Sequence, residues 1–374
     1  MPIPYGRQSL DDADIRAVDD VLRSDWLTTG PAVEAFEREF AAACDAPFAV
    51  AFSSGTAALH GAAVVAGAEP GDEVLTSAIT FAASANCAAY VGATPTFADI
   101  DPDTWNVSAG TVAAALTART KAVIPVHLAG LPVPIAEIRA VVGGDVVIIE
   151  DAAHAAGAQT PDEPVGACRH ADMAVFSFHP VKTMTTGEGG MVTTRSEELR
   201  DRLAAFRTHG LGAPAADEPW LRPQTELGFN YRLTDFQSAL GSSQLRRLDT
   251  FVARRNEIAD RYRAALADLD SLELPPAAPG GTTHAYHLFV IRHRDGAAAR
   301  RALYDALRER DIYPQVHYVP VYLHPWYAQT YGYAPGLCPE AERYYAGCLS
   351  LPCFPALTDG EQDRVIDALR ELVA

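Results

Sequence analysis

The chain lacks most of what would tie it to a membrane, a nucleic acid or a metal. No apolar run approaches the ~20 residues that a membrane-spanning helix needs. The opening MPIPYGRQSLDD has neither a basic stretch nor an apolar core, so it does not read as an export signal and a cytoplasmic location is expected. Positive charge is scarce: 30 Lys and Arg stand against 48 Asp and Glu, a net charge of −18. That balance argues against nonspecific nucleic-acid binding, which needs a basic footprint. It also means that a phosphorylated ligand must be held by local donors against an unfavourable overall field. The six cysteines, Cys44, Cys87, Cys168, Cys338, Cys348 and Cys353, form no CxxC pair and read as buried thiols. His127, His154, His179 and His317 lack metal-ligand spacing, so no metal is expected. There are no repeats and no low-complexity tails.

At 374 residues, 48% of them hydrophobic, the chain is too long for one simple core, and two domains are expected. Strand-like runs fall at 47–52, 72–77, 94–100, 121–127, 145–150, 173–178 and 190–194, with helix-like stretches at 55–67, 82–91, 108–117 and 196–208 between them. Continuous rather than alternating strand hydrophobicity, with helices between, indicates an α/β fold with a mostly parallel sheet covered on both faces. Ligands in such folds bind beyond the carboxyl ends of the strands. A second regime begins near Thr234, which forms a capping box with Gln237 and opens a helical pattern running to about Leu269. The Pro/Gly-rich LPPAAPGGTTH (274–284) breaks it. Strands near 286–292 and 314–318 and helices near 297–310, 338–346 and 358–373 then read as a smaller α/β domain. The expected division is a large domain over 1–245 and a small one over 246–374, linked by the helix at about 234–269.

Two segments carry the chemistry. FSFHPVKTMTTGEGGM (176–191) sets Lys182 between an apolar run and a stretch of Thr and Gly. IIEDAAHAAGA (148–158) ends an apolar run in Asp151. A reactive amine and a buried carboxylate, each following a strand, are what pyridoxal phosphate chemistry requires. The cofactor's aldehyde condenses with a lysine, and an Asp keeps its ring nitrogen protonated as an electron sink. Taken singly, each residue has a blander reading. A lone lysine is usually a solvated charge, Asp151 could be a helix cap or an ion-pair partner, and His154 could be a satisfied core histidine. The apolar strand before Asp151 argues for burial, and a buried carboxylate calls for a cation.

Four further segments offer ligand contacts. In FSSGTAALHGAA (52–63), Ser53, Ser54, Gly55 and Thr56 open a helix, where free N–H groups, hydroxyls and the helix dipole suit a phosphate; the alternative is a plain cap. Ser177 could add a hydroxyl. Phe81 follows a strand, where an aromatic could stack on a ring or simply be core. Asn230 and Arg232 precede the helix at 234, and YPQVHYVPVY (313–322) clusters His317, Tyr318 and Tyr322, aromatic enough for a sugar or base but equally a half-buried strand.

Over nearly its whole length the chain resembles the DegT/StrS-type sugar aminotransferases, fold-type I pyridoxal phosphate enzymes. The resemblance runs from IPYGRQSLDDADIRAV through SDWLTTGP, SSGTAALH, EDAAHAAGA, FSFHPVKTMTTGEGGM, GFNYRLTDFQSALG and QVHYVPVY to LSLPCFP. It implies that Lys182 links covalently to the cofactor and shuttles the proton, while Asp151 pairs with the ring nitrogen. His154 would lie near the phenolic oxygen, Phe81 would stack on the ring, and Ser54, Gly55, Thr56 and Ser177 would hold the phosphate. Asn230 would reach the cofactor phosphate of a neighbouring subunit, which requires a homodimer with sites at the interface. His317, Tyr318 and Arg232 would lie towards the sugar substrate. Dehydratases of this family carry His in place of the lysine, so Lys182 argues for amino transfer. Within the family, His154 and QVHYVPVY look most like the pseudaminic acid enzymes, which aminate C4 of a UDP-linked 4-keto-6-deoxy-N-acetyl hexose with L-glutamate as donor. The alternatives are a dTDP-linked keto sugar or keto-cyclitol as acceptor or, in a different class, a noncatalytic cofactor-binding regulator.

Overall fold

Residues 2–373 are described by a computed structural model. Its centre is a seven-stranded sheet in the order Phe48–Phe52, Gly190–Thr194, Met173–Ser177, Val147–Asp151, Thr120–Ile124, Glu73–Ser77, Thr94–Ala98. Every neighbouring pair is parallel except those made by Gly190–Thr194, which runs antiparallel to both its partners. The seven strand-like runs of the sequence are these seven strands, with ends that shift by one to three residues.

Strand alternation decides which core each side chain joins. Phe176 and Met191 face one layer, where they meet Phe36 and Phe40 of the helix Pro31–Ala43 and the neighbouring Phe178. Val175 and Val192 face the other, with Phe52, Leu59, Leu203 and Phe206. Both faces are therefore dry, as continuous hydrophobic strands require. All six cysteines are buried and free.

The C-terminal part holds a three-stranded antiparallel sheet ordered Cys348–Leu351, Phe289–His293, Leu272–Glu273. Its core gathers Tyr262, Phe289, Leu303, Leu307, Val365 and Leu369. The chain's first residues return to it: Ile3–Pro4 pairs in parallel with Ile312–Tyr313, and Ile3 is buried in the same core. A further cluster knits the two regions together, packing Ile79, Phe97 and Trp105 against Leu288, Tyr322 and Tyr344.

Two elements differ from expectation. The single helix expected over 234–269 is two, Asp235–Leu245 and Leu248–Leu266, broken at Arg246 and Arg247. Arginine favours helix, so local propensity carries no trace of the break. The break accompanies a tertiary tie: Arg247 pairs with Asp11 at 2.9 Å and with buried Asp14, which also accepts a 2.7 Å bond from Gln244. The strand expected at 314–318 is reduced to Ile312–Tyr313 plus one isolated bridge from Gln315 to Ser350. Pro314 has no N–H to continue the ladder, and the chain beyond it turns to other work. The strand Cys348–Leu351 went unread in the sequence.

The helix Asp235–Leu245 lies against Pro31–Ala43 so closely that a Cβ on Gly241 would sit 2.6–2.8 Å from the Phe36 ring. Gly241→Ala should therefore cost roughly 1–3 kcal/mol and lower the melting temperature measurably by calorimetry. Gly110→Ala, on an exposed helix where the nearest outside atom is 3.7 Å away, should be neutral or raise it. Equal melting shifts in the two variants would contradict this packing.

Candidate active site

Beyond the carboxyl ends of Val147–Asp151 and Met173–Ser177 opens a cavity of about 380 Å3. Among its lining residues are Ser54, Asp151, His154, Lys182, His317 and Tyr318, and Gly55, Thr56, Phe81 and Ser177 line it as well. Ten of the residues singled out in the sequence thus meet at one place.

Lys182 stands on a tight loop that the following Thr and Gly residues shape. Its N–H donates to the His179 carbonyl at 2.9 Å. The Phe178 carbonyl accepts from the Thr185 hydroxyl at 2.9 Å and the Thr186 N–H at 3.0 Å, and Gly187 takes the positive φ of +80° that the turn requires. Desolvation pushes the Lys182 amine down to about 8, while the nearby Asp151 carboxylate pulls the other way.

Asp151 is buried and has no ion-pair partner of its own among the described residues. Ser84 donates its hydroxyl to one carboxylate oxygen at 2.5 Å, and the Ala153 N–H reaches the other at 3.1 Å. Ser84 lies 2.7 Å from the Thr80 hydroxyl. With its proton given to Asp151, Ser84 accepts from Thr80, so a short relay of hydroxyls fixes the carboxylate. The sequence reading missed Ser84; its position at the start of the helix after Phe81 was the available signal.

His154 is neutral. Burial and the charge of Lys182 hold its pKa well below the ordinary value. Its Nδ1 accepts from the Ala129 N–H at 3.3 Å, so the proton is on Nε2, 3.1 Å from the Tyr318 hydroxyl oxygen. Tyr318, kept protonated by burial, accepts that bond and has its own proton free for the cavity. His317, lowered to about 3 by desolvation and Lys182, is neutral as well and bonds Ser350 at 2.8 Å. His287, unread in the sequence, packs its ring 4.4 Å from that of His154. Tyr5, also unread, lies 5.1 Å from the ring of His317.

At the other end of the cavity Ser54 caps the helix Gly55–Val65, accepting from the Ala57 N–H at 3.1 Å. The N–H groups of Gly55 and Thr56 are the helix's unclaimed donors. A Cβ on Gly55 would lie 2.9 Å from that of Ser177, and one on Gly190 would lie 2.5 Å from the Ser54 carbonyl oxygen, so glycine is needed for this close approach. Phe81 stands at the mouth, 59% exposed, 6.2 Å from the Tyr318 ring.

Asn230 and Arg232 are not in this cavity. Both flank Tyr231, whose carbonyl accepts from the Ser53 N–H at 2.8 Å, so they sit just outside the helix start. Asn230 is exposed, and the Arg232 Nε is buried without a partner. Tyr322, grouped with His317 and Tyr318 in the sequence, is instead fully buried in the core with its hydroxyl on Glu342 at 2.5 Å. No group of three metal-ligating side chains occurs among the described residues.

This donor set fits pyridoxal phosphate. Free helix N–H groups and hydroxyls at one end suit a dianion, Asp151 lacks the cation that a pyridinium would supply, and Lys182 is held with a depressed pKa. Lys121 and Lys182 are the chain's two lysines, which makes the amine easy to titrate. In protein stripped of bound carbonyl compounds, reaction of Lys182 with an amine-selective reagent should show a midpoint near 8 by mass spectrometry. Lys121 serves as the internal reference. Asp151→Asn removes the charge that favours the ammonium, so the Lys182 midpoint should move down; an upward move or none would contradict the assigned cause.

Comparison with known proteins agrees with this geometry. Residues 8–370 match the DegT/DnrJ/EryC1/StrS aminotransferase family. The spore coat polysaccharide biosynthesis protein SpsC of Bacillus subtilis is 40% identical over 380 residues, covering 99% of this chain and 97% of that protein. The sugar aminotransferase Spr1654 of Streptococcus pneumoniae, a functional assignment its description qualifies, has been solved in PLP and PMP forms. In the PLP form it is 30% identical with a TM-score of 0.93, covering 100% of this chain and 99% of that one. PseC of Helicobacter pylori, described as an aminotransferase in pseudoaminic acid biosynthesis, gives the same 30% identity and TM-score of 0.93, over 100% of this chain and 99% of its own. The chain belongs to the DegT/DnrJ/EryC1/StrS family and is a sugar aminotransferase dependent on pyridoxal 5′-phosphate.

Proposed function

We propose that the protein transfers the amino group of L-glutamate to the C4 ketone of a nucleotide-linked 4-keto-6-deoxy sugar, and specifically a UDP-linked N-acetylhexosamine derivative. The observation that carries the sugar assignment is the mouth of the cavity. Tyr5, Phe81, His317 and Tyr318 form an aromatic rim beside Lys182, with neutral histidines and a free phenol proton to meet hydroxyl and amide groups. The similarity to PseC supports the choice of nucleotide and of carbon.

Bound pyridoxal phosphate supplies an aldehyde that takes up the amino group and a ring that spreads the electron pair left by C–H ionisation. The chain does the rest. Ser54, Gly55, Thr56 and Ser177 hold the phosphate at the helix start, offsetting the protein's net negative charge locally. Asp151, steadied by Ser84, retains the proton on the ring nitrogen. With the cofactor bound, His154 would present its neutral ring to the phenolic oxygen and Phe81 would cover one face of the ring. Lys182, with a pKa close to working pH, takes the proton from the substrate carbon and returns it to the cofactor carbon.

The chain is proposed to work as a homodimer in which Asn230 reaches the partner's phosphate site and Arg232 the substrate. Supporting this, Asn230 is exposed and outside its own cavity, and it adjoins a segment that leaves Trp220 81% and Leu227 76% exposed.

Lys182→Ala should lower kcat by at least about 10^3-fold while leaving the melting temperature near that of the parent; near-normal turnover would remove Lys182 from its role. Enzyme preloaded with pyridoxamine phosphate should recover its cofactor absorbance with the UDP-linked N-acetyl 4-keto sugar. Recovery only with dTDP-linked keto sugars or keto-cyclitols would change the acceptor and leave the chemistry standing. Mixing Lys182→Ala with Asn230→Ala subunits should restore activity above either alone, because one site of the mixed dimer is then complete. No restoration in a proven mixed dimer would place Asn230 outside the shared site.

A further inference from the structure

A second cavity, about 390 Å3, lies on the far side of the same strands. Strand alternation separates the two: Val126 and Asp151 line the catalytic cavity, while His127 and Glu150, their chain neighbours, line the other. Glu150 is only 4% exposed. One of its oxygens is 2.8 Å from His127 Nε2. His127 Nδ1 accepts from the Val133 N–H at 2.9 Å, so the imidazole proton is on Nε2 and is given to Glu150. The other Glu150 oxygen has no partner among the described residues.

Three more carboxylates, Glu137, Asp162 and Glu163, line this cavity, and no Lys or Arg does. Burial, and after it the charge of Glu150, push the Glu163 carboxyl upward, although Arg169, just outside the lining, donates its N–H to Glu163 at 3.1 Å and holds its guanidinium 4.0 Å away. The walls are otherwise largely apolar, with Pro132, Pro134, Pro161 and Pro164 giving rigid faces. The free Glu150 oxygen opens onto the cavity, so a donor entering there can reach a carboxylate that is otherwise withdrawn from water. A hydroxyl would supply a hydrogen bond without charge. No group of three side chains among the described residues could hold a metal ion. An ammonium supplies both the charge and the donor.

We propose that this second cavity is a binding seat for a small protonated amine with an apolar body, its N–H donated to the free oxygen of Glu150. The seat lies one strand residue from the catalytic carboxylate, and the His127 N–H donates to the Asp151 carbonyl at 3.1 Å.

The test uses cofactor-loaded enzyme and N,N-dimethylcyclohexylammonium, a tertiary amine unable to condense with an aldehyde. Saturation-transfer NMR at near-physiological salt should show saturable binding that neutral cyclohexanol does not displace. Glu150→Gln keeps an acceptor for His127 but removes the charge, and should weaken the probe roughly 10- to 100-fold. Absence of saturable binding, equal binding by the variant, or equal competition by cyclohexanol would each overturn the seat. Should Glu150→Gln fail to fold, Ala136→Trp at an exposed wall position decides: blocked binding supports the seat, and undiminished binding refutes it.

Discussion

Asp151 is pinned before its side chain meets anything. Its N–H donates to the Pro125 carbonyl at 2.8 Å, its carbonyl accepts from His127 at 3.1 Å, and the next N–H, that of Ala152, donates to Val175 at 2.8 Å. A residue bonded to strands on both sides cannot retreat to water, so its carboxylate must find its partners where the sheet puts it. Ser84 and the Ala153 N–H meet part of that need. What they leave unmet is positive charge, and the rest of the cavity is arranged around that deficit. Lys182 comes in on the neighbouring strand's loop. Three buried histidines that line the cavity, His154, His287 and His317, are kept neutral by burial, so none of them competes for the carboxylate.

The opposite end of the cavity solves the inverse problem. A chain with a net charge of −18 repels a phosphate at long range, yet the helix opening at Gly55 offers one at short range. Such a helix start works only if the ligand can come close to backbone N–H groups, and glycine permits it. Gly55 clears Ser177, and Gly190 clears the turn at Ser54. Because Gly190 begins the antiparallel strand, the one reversal in the large sheet is also what brings Ser177 and Ser54 side by side.

Most of this was legible in the sequence because it is local. A strand-like run ending in Asp, another followed by Lys and a Thr/Gly loop, and a Ser-Gly-Thr helix start each announce themselves within ten residues. The seven strands of the large sheet were readable for the same reason. What stayed hidden is set by tertiary contact. The break at Arg246–Arg247 accompanies bonds to Asp11 and Asp14, more than 230 residues away. Ser84 looks like any helix residue until the fold lays it on Asp151. His287 comes from another part of the chain to pack on His154. Tyr322 shows the converse: beside His317 and Tyr318 in sequence, it is drawn into the core by Phe97 and Glu342.

Period-two alternation also explains why one strand carries two buried acids in succession. Glu150 and Asp151 point to opposite faces, so their charges are kept apart by the sheet itself. Each takes a neutral donor from a neighbouring segment, His127 for one and Ser84 for the other. Desolvating a carboxylate is costly, and an apolar residue at 150 would fill the same place at no such cost. The hydrogen bond to His127 does not by itself justify the acid, because His127 is buried too and could be replaced along with it. A charge retained at that expense, facing a cavity as large as the catalytic one, is better accounted for by what enters the cavity than by the stability of the sheet.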